Sequence, residues 1–180
     1  MILGLDISTS KCGVSILKDD QTLVFCDVIK MNNKLDLEDR CLKLEKYIKD
    51  LNYEIKTVFI EEPFMMFSGG KTTAHTMAKL QRFNGMCSFM IKKSFNITPQ
   101  LIPANKARKT VGIHVKRGTC TKTKVINFVQ QKYPKFQVYY TRHGNPQPGT
   151  DDKADSVVVA LAGILLQENK WTHTIQLQKL

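Results

Sequence analysis

The stretch "ILGLDISTSKCGVSIL", residues 2–17, decides how this chain begins to fold. Its first part is a short apolar run that reaches Asp6, which indicates a β-strand. The turn-forming residues "STSK" lead into a second apolar run, and "KDDQ" then leads into a third, "TLVFCDVIK". We therefore expect three strands in hairpin succession, with a carboxylate in an apolar setting on the first.

The rest of the chain alternates between helical and strand-like patterns. Apolar residues three or four positions apart predict helices, and β-branched runs ended by proline predict strands. The helices are predicted over 36–51, 72–93, 104–112, 121–133 and 151–168, and the strands over 56–63 and 98–103. This order favours an α/β fold with a mixed sheet. The length of 180 residues and the hydrophobic content of 42% suit one domain, residues 1–180.

Charge is distributed unevenly along the chain. The net charge is +11, yet residues 1–62 carry a net charge of −3 and residues 151–180 one of −1. Residues 63–150 contain 15 Lys and Arg and no Asp or Glu. Such a field attracts nucleic acid, which we favour over an anionic membrane and over a merely solubilising surplus.

The location of the protein is also suggested by its composition. The longest apolar run is far shorter than a membrane span, and "MILGLDIS" has no basic segment typical of a signal peptide. The five cysteines are odd in number and form no Cys-x-x-Cys pair, which favours reduced thiols over disulfides or zinc. We expect a cytoplasmic protein that does not bind membranes.

Acidic residues stand at three places where ordinary structure does not require them. They are Asp6 on the first strand, Glu61 and Glu62 at the end of another, and Asp151, Asp152 and Asp155 at the head of the last helix. A carboxylate in a buried strand is costly unless it is paired or binds a metal. Acids at a helix N-terminus also act as caps, worth roughly 0.3–1 kcal/mol each, and this explains one or two of the aspartates but not Asp6.

Taken together, the three acidic places favour a metal site. Asp152 and Asp155 are three positions apart and share a helix face, and Asp151 and Asp155 are four apart. Mg²⁺ prefers oxygen ligands and is commonly held by a few carboxylates and phosphate oxygens. Two such ions, about 3.5–4 Å apart, promote phosphodiester hydrolysis. A basic surface is then needed to capture the substrate that these acids would repel.

The sequence resembles the RuvC-type Holliday junction resolvases of the RNase H-like superfamily. The matching segments are "ILGLDISTSKCGVSIL", "VFIEEPFM" and "DDKADSVVVALA", in the family's order over nearly the whole chain. The resemblance implies an RNase H-like fold, with a five-stranded mixed sheet whose first three strands are antiparallel. It implies a homodimeric, Mg²⁺-dependent crossover junction endodeoxyribonuclease that nicks four-way DNA junctions symmetrically. The divergence points to a phage or other viral member, which would act in the cytoplasm of an infected host, or to a distant bacterial member.

The resemblance also assigns roles to residues. Asp6, Glu61, Asp152 and Asp155 would hold two Mg²⁺ ions per active site, with Mn²⁺ as a substitute, and Asp6 would bridge them. Lys122 would be catalytic and hold the scissile phosphate. The DNA-binding residues would be Phe64, near the junction centre, with Lys122 and either Lys106 or Lys109. Asp151 is interpreted as a cap or an outer acid, although its spacing from Asp155 keeps it a possible ligand.

Two departures from the family leave the cleavage sequence preference and the fine junction contacts open, but not the metal chemistry. The chain has "DIST" where bacterial members have a "DPG" type start, and loop 142–150 is longer than expected. A ribonuclease H or a general flap or fork endonuclease is the nearest rival function. A non-catalytic nucleic-acid-binding protein is a further rival. An actin-like ATPase is disfavoured, because one domain of this size lacks the second phosphate loop.

Overall fold

A computed structural model describes residues 1–63, 73–115 and 118–177, with side chains described as far as residue 169. Its five strands are β1 (Ile2–Ile7), β2 (Lys11–Leu17), β3 (Leu23–Lys30), β4 (Thr57–Glu62) and β5 (Gln100–Pro103). They form one sheet in the order β3-β2-β1-β4-β5. The first three strands pair antiparallel, whereas β4 runs parallel to both β1 and β5. The predicted five-stranded mixed sheet is confirmed.

In the part of the chain that the structure describes, five helices cover the sheet. They are α1 (Leu37–Asp50), α2 (Ala74–Phe95), α3 (Ala104–Thr110), α4 (Thr121–Lys132) and α5 (Thr150–Leu177). Asp36 caps α1 by accepting a hydrogen bond from the Asp39 backbone N–H at 2.7 Å. The prediction ended the last helix at 168, which is nine residues too early. No glycine or proline follows Glu168 to end the helix, so the helical backbone continues.

Strand alternation divides the core between the two faces of the sheet. On β1, Leu3, Leu5 and Ile7 point into a cluster that they share with α1 and α2. Ile2 belongs to the opposite cluster, which contains residues of α3, α4 and α5. Because side chains alternate along a strand, Asp6 lies on the same face as Ile2, the face that α5 covers.

Close backbone contacts bring α5 onto this face. A Cβ atom added to Gly4 would lie 2.6 Å from the Ala160 Cβ, and one added to Gly163 would overlap the Phe59 ring. The buried Ser15 hydroxyl donates to the Ser156 carbonyl at 2.8 Å. These contacts fix both the height and the rotation of α5 above the sheet. No helix of the described residues is long and apolar enough to cross a membrane.

Candidate metal centre

Asp6 and Glu61 come from neighbouring parallel strands. The pairing of β1 with β4 runs as far as Leu5 and Ile60, so the next residue on each strand is an acid. Phe59, two residues before Glu61, belongs to the cluster under α5. Glu61 therefore faces α5, as Asp6 does, whereas Glu62 alternates to the other face. The choice of Glu61 as a ligand, which the family resemblance implied, stays a prediction that this alternation allows.

The third group of acids is supplied by the first turns of α5. Gly13 on β2 pairs with Asp6 on β1. A Cβ at Gly13 would lie 2.5 Å from the carbonyl carbon of Asp152 and closer still to its oxygen. The start of α5 is thus pressed against the strand next to Asp6. Asp155 lies one helical turn after Asp152 and faces the same side.

The electrostatics show that these carboxylates are neighbours. Burial, followed by repulsion from Glu61 and then Asp155, raises the pKa of Asp6 well above its usual value. Burial and repulsion from Asp155 raise the pKa of Glu61 to about 7. Burial, opposed by Arg108 and reinforced by Asp151 and Asp152, raises the pKa of Asp155 to about 6. A bound cation would relieve both the desolvation and the repulsion.

Two lysines hold the remaining acids. Lys11 Nζ lies 3.1 Å from Asp152 Oδ2, and Lys122 Nζ donates to Asp151 Oδ2. Burial is the largest influence and acts to raise the pKa of Asp151, but the hydrogen bond and charge of Lys122, a backbone hydrogen bond and the charge of Lys11 together outweigh it, and the pKa is lowered. The hydrogen bond between Lys122 and Asp151 also raises the pKa of Lys122. Asp151 is therefore an ion-pair partner of Lys122 at this site.

The basic residues near the acids are only partly those that the sequence analysis selected. Lys106 and Lys109 on α3 are both exposed, and their neighbour Arg108 is the residue that lowers the pKa of Glu61 and Asp155. The sequence analysis missed Arg108. Arg108 is three residues before Val111, which packs against the core. Residues three apart share a helix face, so this spacing could have shown that Arg108 faces inward.

Lys11 was missed as well. It stands two residues before Gly13 on β2, so strand alternation places it on the face that carries Asp6. The pairing of β1 with β2 as a hairpin would have been enough to predict that Lys11 and Asp6 share a face of the sheet. Phe64, the predicted base-contacting residue, lies outside the described residues.

The donor set suits Mg²⁺. It consists of carboxylate oxygens, the ligands that this ion prefers, and three of the four proposed ligands have raised pKa values that a cation would lower. Within the described ranges, no three His, Cys, Asp or Glu side chains are already grouped around one point. Lys11 contacts only Oδ2 of Asp152, so the second oxygen of this carboxylate is the one that would bind a metal ion.

Comparison with known proteins identifies the class of fold. No protein-family model and no curated protein matches the sequence. Among solved structures, Thermus thermophilus RuvC in complex with Holliday junction substrate aligns at a TM-score of 0.68 and 12% identity, over 93% of this chain and 94% of that one. Together with the sheet order, this likeness shows an RNase H-like fold.

Two further solved structures align over most of this chain. A second T. thermophilus RuvC structure aligns at a TM-score of 0.63 and 14% identity, over 94% of this chain and 96% of that one. The yeast mitochondrial Holliday junction resolvase aligns at 0.67 and 12% identity, over 99% of this chain and 84% of that one. The chain has a RuvC-like fold, as the sequence resemblance predicted, and the likeness at these identities is one of fold. The viral origin stays a prediction.

Proposed function

We propose that the protein is a metal-dependent endonuclease that resolves four-way DNA junctions by paired, symmetric nicks. One observation carries the proposal: the acids of β1, β4 and α5 converge at one edge of the sheet and raise one another's pKa values. Carboxylates crowded in this way are unfavourable without a cation. A protein with no use for a metal would gain stability by replacing them.

Asp6, Glu61, Asp152 and Asp155 would hold two Mg²⁺ ions. When bound, such ions activate a water molecule and stabilise the leaving oxygen during phosphodiester hydrolysis. Asp6 is central, since its pKa is raised by all the other acids of the site. Lys122 and Lys11 lie beside the acids, where they can neutralise a phosphate that approaches the metal site.

The substrate class is supported by charge and by fold. The acid-free segment 63–150 supplies α2, α3 and α4, and Lys106 and Lys109 are exposed on α3 beside Arg108. T. thermophilus RuvC, whose fold this chain shares, has been seen in complex with a Holliday junction. A duplex or junction phosphate backbone is the natural counterpart of such a surface.

Symmetric nicking requires two active sites, so the proposal includes a homodimer. Phe89 on α2 is 68% exposed, and such an apolar ring on an outer helix face suits a partner surface. A second copy of the chain is the partner that symmetric nicking requires.

The nearest rival is a ribonuclease H or a flap or fork endonuclease, because the same carboxylates serve all of these reactions. A non-catalytic DNA-binding protein is the second rival. It is disfavoured by the electrostatic cost of Asp6, which a protein without a metal site has no reason to retain.

The deciding experiment offers the protein a four-way junction labelled on each strand. We expect paired nicks at symmetric positions in Mg²⁺ or Mn²⁺ and none in EDTA. The Asp155→Asn variant should bind the junction and leave it intact. Equal cleavage of linear duplex would exclude junction selectivity, and cleavage of RNA–DNA hybrid or of flaps alone would favour a rival.

The salt dependence of binding tests the basic surface separately. If about six phosphates are contacted, affinity should fall on the order of 10³-fold between 50 and 200 mM salt. An affinity that changes little over this range would contradict the proposed role of segment 63–150.

A further inference from the structure

The chain before α5 forms a short hairpin over residues 139–147. The Gln147 backbone N–H donates to the Tyr139 carbonyl at 2.8 Å, and the Thr141 N–H donates to the Asn145 carbonyl at 2.8 Å. Inside these bonds, Tyr140 and Pro146 pair as an antiparallel bridge. Much of loop 142–150, which is longer than the family resemblance implies, is thus part of an ordered hairpin.

The hairpin is attached to the helix that carries the acids. The Thr150 hydroxyl donates to the Gln147 carbonyl at 2.7 Å, and Lys153 Nζ donates to the Gln137 carbonyl at 2.9 Å. Both donors belong to the first turns of α5, next to Asp151 and Asp152. A ligand held by this hairpin would meet a surface already ordered, which reduces the entropic cost of binding.

A groove of about 380 Å³ separates the hairpin from α4. Lys11 and Lys122 line it beside Asp151, and Ile126, Pro146 and Pro148 supply apolar lining. A pair of ammonium groups together with an apolar surface suits a chain that alternates phosphates with bases and sugars.

The two lysines can bind a phosphate without leaving their aspartates. A lysine ammonium group has three N–H donors, and the contacts to Asp152 and Asp151 each use one carboxylate oxygen. Lys11 remains 30% exposed at its side chain and Lys122 71% exposed, so the remaining donors are accessible from the groove.

The hairpin also exposes two neighbouring aromatic rings. Tyr139 is 59% exposed and Tyr140 is 55% exposed, whereas aromatic side chains in most folded proteins are largely buried. Arg142 and His143 are exposed at the tip of the same hairpin, and residues 137–149 contain no acid. The two rings belong to the hairpin whose Pro146 and Gln147 line the groove, and exposed aromatic rings beside positive charge are typical of surfaces that stack unpaired bases.

We propose that the groove between hairpin 139–147 and α4 binds a DNA strand with unpaired bases. Lys11 and Lys122 contact its phosphates in the groove, and the exposed ring of Tyr139 or Tyr140, which alternate along the hairpin, stacks against a base outside the groove. The inference rests on the proposed nuclease function and adds to it a route for one strand. That route leads from the metal site, past the start of α5, to the hairpin. Charge complementarity selects DNA over a protein partner, because the groove and hairpin carry three exposed basic or histidine side chains, the partly buried Lys11 and one acid already paired.

The test measures binding of a single-stranded oligonucleotide that contains 2-aminopurine, whose fluorescence falls when it stacks on an aromatic ring. Wild-type protein should bind and quench it. The Tyr139→Ala/Tyr140→Ala variant should lose the quenching and bind at least about tenfold more weakly, while the Phe/Phe variant keeps both properties. Leu42→Ala, which removes a 60% exposed apolar side chain from α1, should match wild type.

The lysine contact has its own readout. Lys11→Ala should reduce the slope of log affinity against log salt by about 0.7, the value for one single-strand phosphate contact. Lys18→Ala, which removes an exposed lysine from the turn after β2, is the matched control and should leave the slope unchanged. An unchanged slope for Lys11→Ala would contradict the assigned phosphate contact.

The outcomes separate this inference from the proposed function. If the Ala/Ala variant quenches and binds like wild type while junctions are still nicked, the groove proposal is wrong and the nuclease stands. If wild-type protein binds neither the oligonucleotide nor junctions, both are wrong. A change of sedimentation in the Ala/Ala variant with DNA binding intact would show a protein-contact surface instead. Circular dichroism and the two single Tyr→Ala variants control for misfolding.

Discussion

Gly13 on β2 lies against the peptide of Asp152 at the start of α5, where any side chain on Gly13 would overlap the Asp152 carbonyl. Gly13 also pairs with Asp6 across the β1–β2 hairpin. One glycine thus holds together an acid of the sheet and an acid of the helix. The convergence of carboxylates depends on this close approach as much as on the carboxylates themselves.

Replacing Gly13 by alanine should therefore displace the head of α5. Two backbones are in contact there, so neither can yield as a flexible side chain would. We expect a loss of about 1–3 kcal/mol in the free energy of unfolding, measured by urea denaturation, together with loss of junction nicking. Gly85→Ala is the matched control, since its Cβ would meet nothing within 4 Å on α2 and should stabilise the helix by about 0.5–1 kcal/mol. Equal effects of the two substitutions would show that the Gly13 contact has no special role.

Glu61 and Glu62 are adjacent but face opposite sides of the sheet, so they form a natural pair of test sites. Glu61→Gln should lower the single-turnover nicking rate by at least about 100-fold, because it removes a proposed metal ligand. Mutating a residue that only hydrogen-bonds to a metal ligand already costs about 10- to 100-fold in activity, and loss of the ligand itself should cost at least as much. Glu62→Gln should nick at nearly the wild-type rate. Similar losses at both positions would contradict the assignment from strand alternation.

The stability of the metal-free protein should fall as pH rises from about 5 to 8. The pKa of Glu61 is raised to about 7 and that of Asp155 to about 6, so the folded state binds protons more tightly than the unfolded chain. The free energy of unfolding then decreases as these groups ionise. Acids with lowered pKa values, such as Glu38 and Glu45, make the free energy of unfolding increase with pH instead. Their effect is confined to pH values near and below their usual pKa, so it does not oppose the trend at higher pH. The Tm in EDTA measures the effect.

The same experiment has two internal controls. Mg²⁺ should raise the Tm more at pH 8 than at pH 5.5, because ionised carboxylates bind the ion and protonated ones do not. Glu61→Gln should flatten the pH dependence and be more stable than wild type at pH 8 in EDTA, by roughly 1–3 kcal/mol. A Tm that rises with pH in metal-free wild type would contradict the mutual repulsion of the acids.

Arg108 should affect the pKa values of Glu61 and Asp155, whereas its exposed neighbours Lys106 and Lys109 should not. Its positive charge opposes the upward pKa shifts of Glu61 and Asp155, so Arg108→Ala should raise both pKa values further. The acid limb of the nicking rate against pH should then move to higher pH. Lys106→Ala, on the same short helix, should weaken junction binding and leave that limb in place. Identical pH profiles for the two variants would show that Arg108 does not act on the acids.

Much of the fold could be read from local patterns. The hairpin "ILGLDISTSKCGVSIL" predicted β1 and β2 correctly, and "KTVFIEEP" predicted β4, whereas the choice of Glu61 as a ligand came from the family resemblance and stays a prediction. The last helix was placed correctly at its start and wrongly at its end, because a helix without a glycine or proline has no local signal to stop. Loop 142–150 was seen only as long and turn-rich, and its pairing into a hairpin depends on bonds between separate residues.

The sequence by itself determined the elements, the acid types and the basic middle segment, since periodicity and charge are properties of neighbouring residues. Only the tertiary structure decided which cations meet which acids: Lys11 rather than any lysine of α3 lies on Asp152, and Arg108 rather than Lys106 acts on Glu61. Lys11 and Asp152 are 141 residues apart in the chain. Their contact exists because α5 docks over β2 at Gly13, and burial there turns ordinary carboxylates into a site whose repulsion favours a metal ion.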